Sequence, residues 1–279
     1  MSQVAAVLVT HNSERWIETT LAGLVDQTRR PDEIVVIDDA STDATREIVA
    51  RVLGTDTRVI ASTSTSDDRY TRIAHNFRQG VTAVRDSEIA VLGDHDDVWH
   101  PDRVAHQTAL LEQHPGVSLV ASDGRLVDAE GRALGGTLRT TFPVPDNIND
   151  LSPADRMRFV LRKSVATGGA SAVRPAAFAD VDIPEGWLHD RWWSLVAAAR
   201  EGLLVDATVV IDYRVTADQE VGLDMGHQDQ AMMGRMMTAA GGLRTTMSKL
   251  DDIRNRLPAY ATDATRASLT GPRLLRNLM

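Results

Sequence analysis

The chain contains no cysteine, which excludes disulfides and thiolate-held metal sites and fits a reducing compartment. No apolar run approaches the ~18 residues that a membrane-spanning helix needs. The N-terminal stretch MSQVAAVLVTHN lacks a basic leader and a small-residue cleavage site, so it reads as a first strand and not as a secretory signal. Positive charge is in deficit: 30 Lys and Arg stand against 39 Asp and Glu, and the formal net charge of −9 argues against a nucleic-acid partner. Glycine is missing from the turn after the first strand, Thr10-His11-Asn12-Ser13, so the G-x-G-x-x-G dinucleotide fingerprint is absent as well. What remains is ordinary for a soluble globular protein: 279 residues, 43% hydrophobic and 25% charged, enough for one large core or one core with an appendage.

Strand and helix patterns alternate through the first half. Residues 3–9 predict a strand, followed by a helix capped by Ser13 or Asn12 that turns Trp16, Ile17, Thr20, Leu21, Leu24 and Val25 inward. A second strand, Glu33 to Ile37, runs into Asp38-Asp39 and a helix over 43–53 capped by Thr42 or Ser41. A strand at 57–61 and a helix over about 71–85 follow. Short connections between alternating elements imply a mostly parallel α/β sheet flanked by helices. Beyond Pro101 the pattern gives a helix to His114, a strand at 117–121, a hairpin over 124–134 turning at Glu130-Gly131, and a Pro-, Asn- and Asp-rich stretch (136–151) that reads as a mobile loop or a subdomain seam. A helix near 152–162, the small-residue run Ala166 to Ser171, a helix from Trp187 to about Arg200, and two strands near 203–206 and 208–214 complete the series.

The centre of the chain is residues 88–99, EIAVLGDHDDVW. The short apolar run Ile89 to Leu92 reads as a buried parallel strand that ends in Gly93 and opens onto Asp94, Asp96 and Asp97. In open α/β sheets ligands collect beyond the carboxyl ends of such strands. Clustered carboxylates repel one another unless a cation lies between them. Hard ions such as Mg²⁺ or Mn²⁺ take oxygen ligands and keep positions open for a substrate's phosphates. The competing reading is a solvated acidic turn that caps the next helix.

Five motifs in order, VLVTHN, VVIDDASTD, LGDHDDVWHPDR, TGGASAVR and LHDRWW, resemble family 2 glycosyltransferases of GT-A fold over roughly residues 3–215. The D-H-D-D-V-W and H-D-x-W-W variants are similar to the rhamnosyltransferase-like branch that builds bacterial cell-surface polysaccharides. By position, the resemblance implies that Thr10, Asn12 and Asp39 contact the base and ribose, with Asp38 in support. A carboxylate accepts the imide N–H of uracil or thymine, which cytosine lacks. The resemblance gives Asp96 to the ribose or sugar and Asp97 to a metal, Mg²⁺ or Mn²⁺. Asp94 is an additional carboxylate for metal binding or for capping the turn. Gly168 and Gly169 let backbone approach the nucleotide sugar, and Arg72 lies near the nucleotide. Asp190 matches the general base of inverting members. Of the aromatic rings that could stack on a sugar, Trp187, just before the helix, is the acceptor candidate, with His189 beside it, and Trp192 and Trp193 are left mainly to packing. The helix start favours the ionised form of Asp190, whereas desolvation by Trp192 and Trp193 opposes it. The chain departs from the pattern after Arg214: Val215-Thr216-Ala217-Asp218-Gln219 replaces the usual Gln-His, and His227 is a substitute from further on.

The reading that follows is an inverting transferase that moves a sugar from a UDP- or dTDP-sugar to a glycan or glycolipid hydroxyl. Its expected location is the cytoplasm, peripheral at the inner face of the membrane. A non-catalytic nucleotide-sugar-binding protein and a nucleotidyltransferase are the alternatives. The expected organisation is a GT-A domain over 1–222 (nucleotide half 1–121, acceptor half 122–222) and a helical extension over 223–279. In that extension Met233, Met236, Ala240, Leu243, Met247 and Leu250 share one helical face. From Arg244 onward seven Lys/Arg face three Asp/Glu, and with the Met-rich face this suggests a homodimer or a membrane-surface contact.

Overall fold

The computed structural model describes residues 2–54, 57–216 and 240–270. The described residues form a nine-stranded sheet in the order β3-β2-β1-β4-β8-β6-β9-β5, with β7 paired to β6. The first four of these, β1 (Val4–Thr10), β2 (Glu33–Asp38), β3 (Arg58–Ala61) and β4 (Ile89–Asp94), are parallel throughout. All seven residues of β1 are buried because helices cover both faces. Alternation sorts its side chains. Leu8 packs with Ile17 and Leu21 of α1 (Ile17–Val25) and Val49 of α2 (Thr45–Leu53) on one face. Val7 and Val9 pack with Phe77 and Val81 of α3 (Arg69–Ala83) on the other. Gly80 brings α3 against the sheet: a Cβ there would collide with Val7.

Beyond β4 the sheet turns mixed. β8 (Ser171–Val173) runs antiparallel between β4 and β6 (Leu119–Val127), and β9 (Leu203–Arg214) is parallel to β6. β5 (Val98–Trp99) pairs antiparallel to β9, and β7 (Ala133–Thr137) forms the expected hairpin with β6 through Gly131 at φ 81. β9 is one strand and not two; two register shifts against β6 near Asp123 absorb the break that the sequence suggested. The start of the stretch 136–151 is tied down by local bonding. Thr137 and Thr140 form a reciprocal capping box on the short helix α5 (Leu138–Thr141), and Leu138 is buried.

Two capping expectations are corrected. α2 is started by Asp43, whose carboxylate accepts the N–H of Thr45 at 3.0 Å, while Thr42 and Ser41 bond to Asn12. α1 has no side-chain cap, because Asn12 is engaged with Thr42 and Ser13 offers only its backbone carbonyl. The helices α4 (Arg103–Gln113), α6 (Pro153–Arg162), α7 (Pro175–Phe178) and α8 (His189–Ala199) complete the layers.

At the C-terminal end, α9 (Ala240–Asn255) and α10 (Asp263–Leu269) follow. Ile253, Leu257, Ala261 and Leu269 are buried in the same core as Trp192 and Trp193. Of the expected Met/Leu face, Met247 is 53% exposed and Leu250 packs against this core. Met233, Met236 and His227 lie outside the described residues. No described helix is long and apolar enough to cross a membrane.

Candidate active site

Register fixes the site. Thr10 pairs with Asp38 and Val9 with Asp94, so the carboxyl ends of three adjacent parallel strands present their polar residues side by side. Beyond them lies a cavity of about 470 Å³. Thr10, Asn12 and Asp39 line it on the β1–β2 side, Asp94 and Asp96 at the β4 end, and Gly168, His189 and Asp190 from the second half. Leu138, Phe142, Val165, Ala166 and Leu188 supply an apolar wall.

The two neighbouring aspartates of β2 have different surroundings. Asp38 is 1% exposed, accepts the Thr10 hydroxyl at 3.2 Å and the Ser41 N–H at 3.3 Å, and pairs with Arg46 at 3.0 Å. It therefore supports the strand ends and does not face the cavity. Asp39 faces it, with Arg72 Nε donating to its carboxylate at 2.8 Å. Asn12, in the left-handed region at φ 42, accepts the Thr42 N–H at 2.8 Å and ties the two strand-end turns together. His11, which the sequence reading passed over, lines the cavity. A carbonyl only accepts, so the His11 Nδ1–H donates to the Asp39 carbonyl 2.5 Å away.

The acidic group after β4 is electrostatically costly, with Asp97 fully buried and Asp94 and Asp96 half-buried. Burial first, then the charges of Asp96 and Asp190, push the Asp94 carboxyl up to about 7. Burial with Asp96 and Asp94 holds the Asp97 carboxyl well above the usual carboxylate range. Asp97 Oδ1 accepts the Arg214 N–H at 3.1 Å, while its buried Oδ2 has no partner among the described residues. Gly169 marks where these oxygens converge. A Cβ there would collide with Asp97 Oδ2 and lie 2.7 Å from Asp94 Oδ2. Beneath them Arg103, 1% exposed and 3.9 Å above the Trp99 ring, donates to the Leu92 carbonyl at 2.5 Å. Burial lowers its pKa to about 9 against the pull of Asp97 and Asp94. Its place in HPDR suggested only a helix start; its role as a buried counter-charge needed the fold.

The donor set suits a hard cation: carboxylate oxygens, one of them orphaned, with no thiolate and a local excess of negative charge. Among the described residues no group of three or more His, Asp or Glu gathers as a complete cage, so the protein would supply Asp97 and Asp94 and leave positions for substrate oxygens or water.

Opposite the acidic group, α8 begins with His189 and Asp190. Asp190 accepts the N–H of Gly168 at 3.1 Å and that of Arg191 at 2.6 Å. Burial nevertheless raises its carboxyl to about 6, so desolvation outweighs the helix start. Arg191 holds the helix by donating to the carbonyls of Val160, Leu161 and Lys163 at the end of α6. Trp187 is corrected. It is 2% exposed, outside the cavity, donating to Asp252 of α9 at 3.0 Å and packed edge-on against Trp192, so it cannot stack on a sugar. Trp192 and Trp193 are fully buried core residues. Trp16 also lines the cavity, with the Arg214 guanidinium 4.5 Å from its ring. Arg139, whose guanidinium bonds to the carbonyls of Ala121 and Val165, holds the α5 wall in place.

Residues 5–169 match the glycosyl transferase family 2 profile. The chain belongs to that family. The family 2 match spans the three parallel strand ends, the acidic group and Gly168-Gly169, and stops short of Asp190. Among curated relatives, the putative teichuronic acid biosynthesis glycosyltransferase TuaG of Bacillus subtilis is 27% identical over 131 residues, covering 45% of this chain and 50% of TuaG. The putative glycosyltransferase EpsE of the same organism is 25% identical over 190 residues, covering 67% of this chain and 66% of EpsE. The chain thus spans only half the length of TuaG, and 37% of an uncharacterized Mycobacterium tuberculosis relative. Among solved structures, S. aureus TarS in complex with UDP-GlcNAc aligns with a TM-score of 0.63 at 16% identity, covering 96% of this chain and 69% of that one. Glucosyl-3-phosphoglycerate synthase of Mycobacterium tuberculosis, with Mn²⁺, UDP and its product, aligns at 0.52 and 16% identity, covering 77% and 73%. These likenesses establish the mixed α/β GT-A fold.

Proposed function

We propose that the chain is an inverting glycosyltransferase that transfers a sugar from a UDP- or dTDP-sugar to a hydroxyl of a glycan or glycolipid in cell-surface polysaccharide synthesis. The observation that carries this reading is Asp190. It is a half-buried carboxylate raised to about 6, in the same cavity as Asp39, Asp94 and Asp96, on the opposite side of the small-residue run. The acceptor hydroxyl oxygen bonds to the anomeric carbon as the bond from that carbon to the diphosphate oxygen breaks. The proton of the hydroxyl passes to Asp190. A base near 6 suits a late proton transfer in an oxocarbenium-like displacement and needs no covalent intermediate. Asp39 accepts the imide N–H of the base, and Asp96 faces the ribose or sugar. A divalent cation, Mg²⁺ or Mn²⁺, held by Asp97 and Asp94, would supply positive charge to the departing diphosphate. TarS was solved with UDP-GlcNAc and the synthase with Mn²⁺ and UDP, and TuaG is named for teichuronic acid biosynthesis; these relatives support the donor class, the metal and the polysaccharide setting.

The test is calorimetry with UDP, dTDP, CDP, ADP and GDP, each with Mn²⁺ and with excess chelator. Tighter binding of UDP or dTDP with Mn²⁺ is expected. Preference for a purine nucleotide would overturn the base assignment, and equal affinity in chelator would overturn the metal assignment.

A further inference from the structure

His189 is 3% exposed, yet neither of its ring nitrogens has a hydrogen-bond partner among the described residues. A buried imidazole left this way forfeits about 1–3 kcal/mol for each polar atom that goes unmet. Packing does not explain the choice of residue. The ring stacks on Phe77 with centroids 3.7 Å apart and planes 18° from parallel, and Trp193 meets it edge-on at 5.4 Å. A phenylalanine would make the same contacts with nothing to desolvate. The stack instead aims the nitrogens without any hydrogen bond to orient them.

The direction of Nε2 is informative. His189 lines the cavity, and a Cβ on Gly168 would lie 2.5 Å from His189 Nε2 and 3.8 Å from Asp94 Oδ2. Gly168 needs to be glycine because the imidazole edge packs directly against its backbone, with a carboxylate oxygen of Asp94 on the far side. Asp190, which accepts the Gly168 N–H, flanks the same glycine. Burial holds the imidazole neutral, with its pKa lowered to about 3. A neutral ring does not select a phosphate. Whichever tautomer it adopts, a hydroxyl can answer it, because a hydroxyl both donates and accepts.

We propose that His189 reads one hydroxyl of the transferred hexose, with an unmet ring nitrogen bonding to it where His189 lines the cavity beside Gly168 and the Phe77 stack fixing the ring. The inference rests on the functional reading above and adds the residue that distinguishes one hexose from another. A site built to hydrogen-bond a hydroxyl rejects an analogue lacking it far more strongly than an apolar pocket rejects a change of size.

The experiment compares bare UDP and dTDP with their glucose, galactose and N-acetylglucosamine derivatives by calorimetry in Mn²⁺. For the best-bound sugar it adds the monodeoxy analogues, one for each free hydroxyl. Wild type is expected to gain affinity from one hexose and to lose 10- to 100-fold of it with one deoxy analogue. His189→Phe, which keeps the stack, is expected to bind bare nucleotide within twofold of wild type. It should lose the same 10- to 100-fold for the full sugar and no longer distinguish that deoxy analogue. His189→Gln should recover part of the loss. A His189→Phe protein that keeps the full gain from the sugar overturns the proposal, as does a wild type indifferent to every deoxy analogue or to the hexose itself. Wild type that binds no nucleotide overturns the functional reading, and this inference with it. The wild-type deoxy series stands even if a variant fails to fold.

Discussion

Asp190→Asn separates catalysis from stability in opposite directions. In the folded chain burial raises the carboxyl from 3.8 to about 6, which amounts to about 3 kcal/mol against the charged form. The folded state therefore binds the proton at a pH where the unfolded chain has lost it. Wild-type stability falls as pH rises from about 4 to about 6, and the whole penalty is present above that. Asparagine removes the charge but turns an amide donor toward one of the two N–H groups that the carboxylate accepts, those of Gly168 and Arg191, at a cost of about 1–2 kcal/mol. The balance near pH 7.5 is a gain of about 1–2 kcal/mol, a few degrees in Tm. Below pH 4 only the lost hydrogen bond remains, and the variant should melt below wild type. Thermal unfolding at pH 4 and pH 7.5, without nucleotide or metal, checks the reversal. Transfer measured at saturating donor and acceptor should meanwhile fall by ~10²–10⁴. The ratio of wild-type to variant rates should climb as pH rises through about 6, because only the wild type gains a base there. Affinity for UDP should be unchanged. A variant that keeps transfer within a few-fold of wild type refutes the assignment of the base. A variant that melts well below wild type at pH 7.5 refutes the electrostatic argument.

Two further outcomes test the nucleotide side. Asp39→Asn should weaken UDP binding by about 10- to 100-fold, the worth of a hydrogen bond to a charged acceptor, and shrink the preference for UDP over CDP; calorimetry on both nucleotides reads this directly. Asp97→Asn should leave UDP binding in chelator unchanged and abolish the increment that Mn²⁺ gives, while transfer falls with it; a retained Mn²⁺ increment would move the metal site elsewhere.

The residues legible in sequence are those whose chemistry depends on strand ends. Ile89 to Leu92 and Glu33 to Ile37 are short apolar runs with no room for a helix, so the carboxylates that follow had to emerge at the sheet's carboxyl edge. That placed Asp39, Asp94 and Asp96 at one edge, where they line one cavity; Asp190, at a helix start, came only from the family resemblance. What stayed hidden depended on contacts between distant segments. The three-residue strand Ser171–Val173 is too short for a periodic signal, yet it brings Gly168 and Gly169 against the acidic group. Trp187 read as an acceptor contact, but the C-terminal helix, 65 positions further on, covers it through Asp252. Leu138 and Phe142 sit in a stretch whose prolines and aspartates resemble a loop, and only the capping box and Arg139 make them a wall. Propensity reports local preference, and each of these is decided by a partner far away in sequence.

Gly169 turns that long-range geometry into its own test. Its φ lies outside the left-handed region, so the backbone accepts alanine without strain. The obstacle is space: the new methyl would meet Asp97 Oδ2 and Asp94 Oδ2, the two oxygens that converge on the metal. Both carboxylates are anchored, Asp97 by the Arg214 N–H and Asp94 as the last residue of β4, so neither can withdraw far. Overpacking of this kind costs about 1–3 kcal/mol. Gly169→Ala should therefore lower Tm by several degrees and bind UDP in chelator as wild type does. Its Mn²⁺-dependent increment should fall at least tenfold. Gly116→Ala, where a Cβ meets nothing within 4 Å, controls for the loss of backbone freedom and should change neither binding nor increment. If Gly169→Ala keeps the full Mn²⁺ increment, the two carboxylates do not share a cation, and Asp94 is left as a turn cap with Asp97 binding alone.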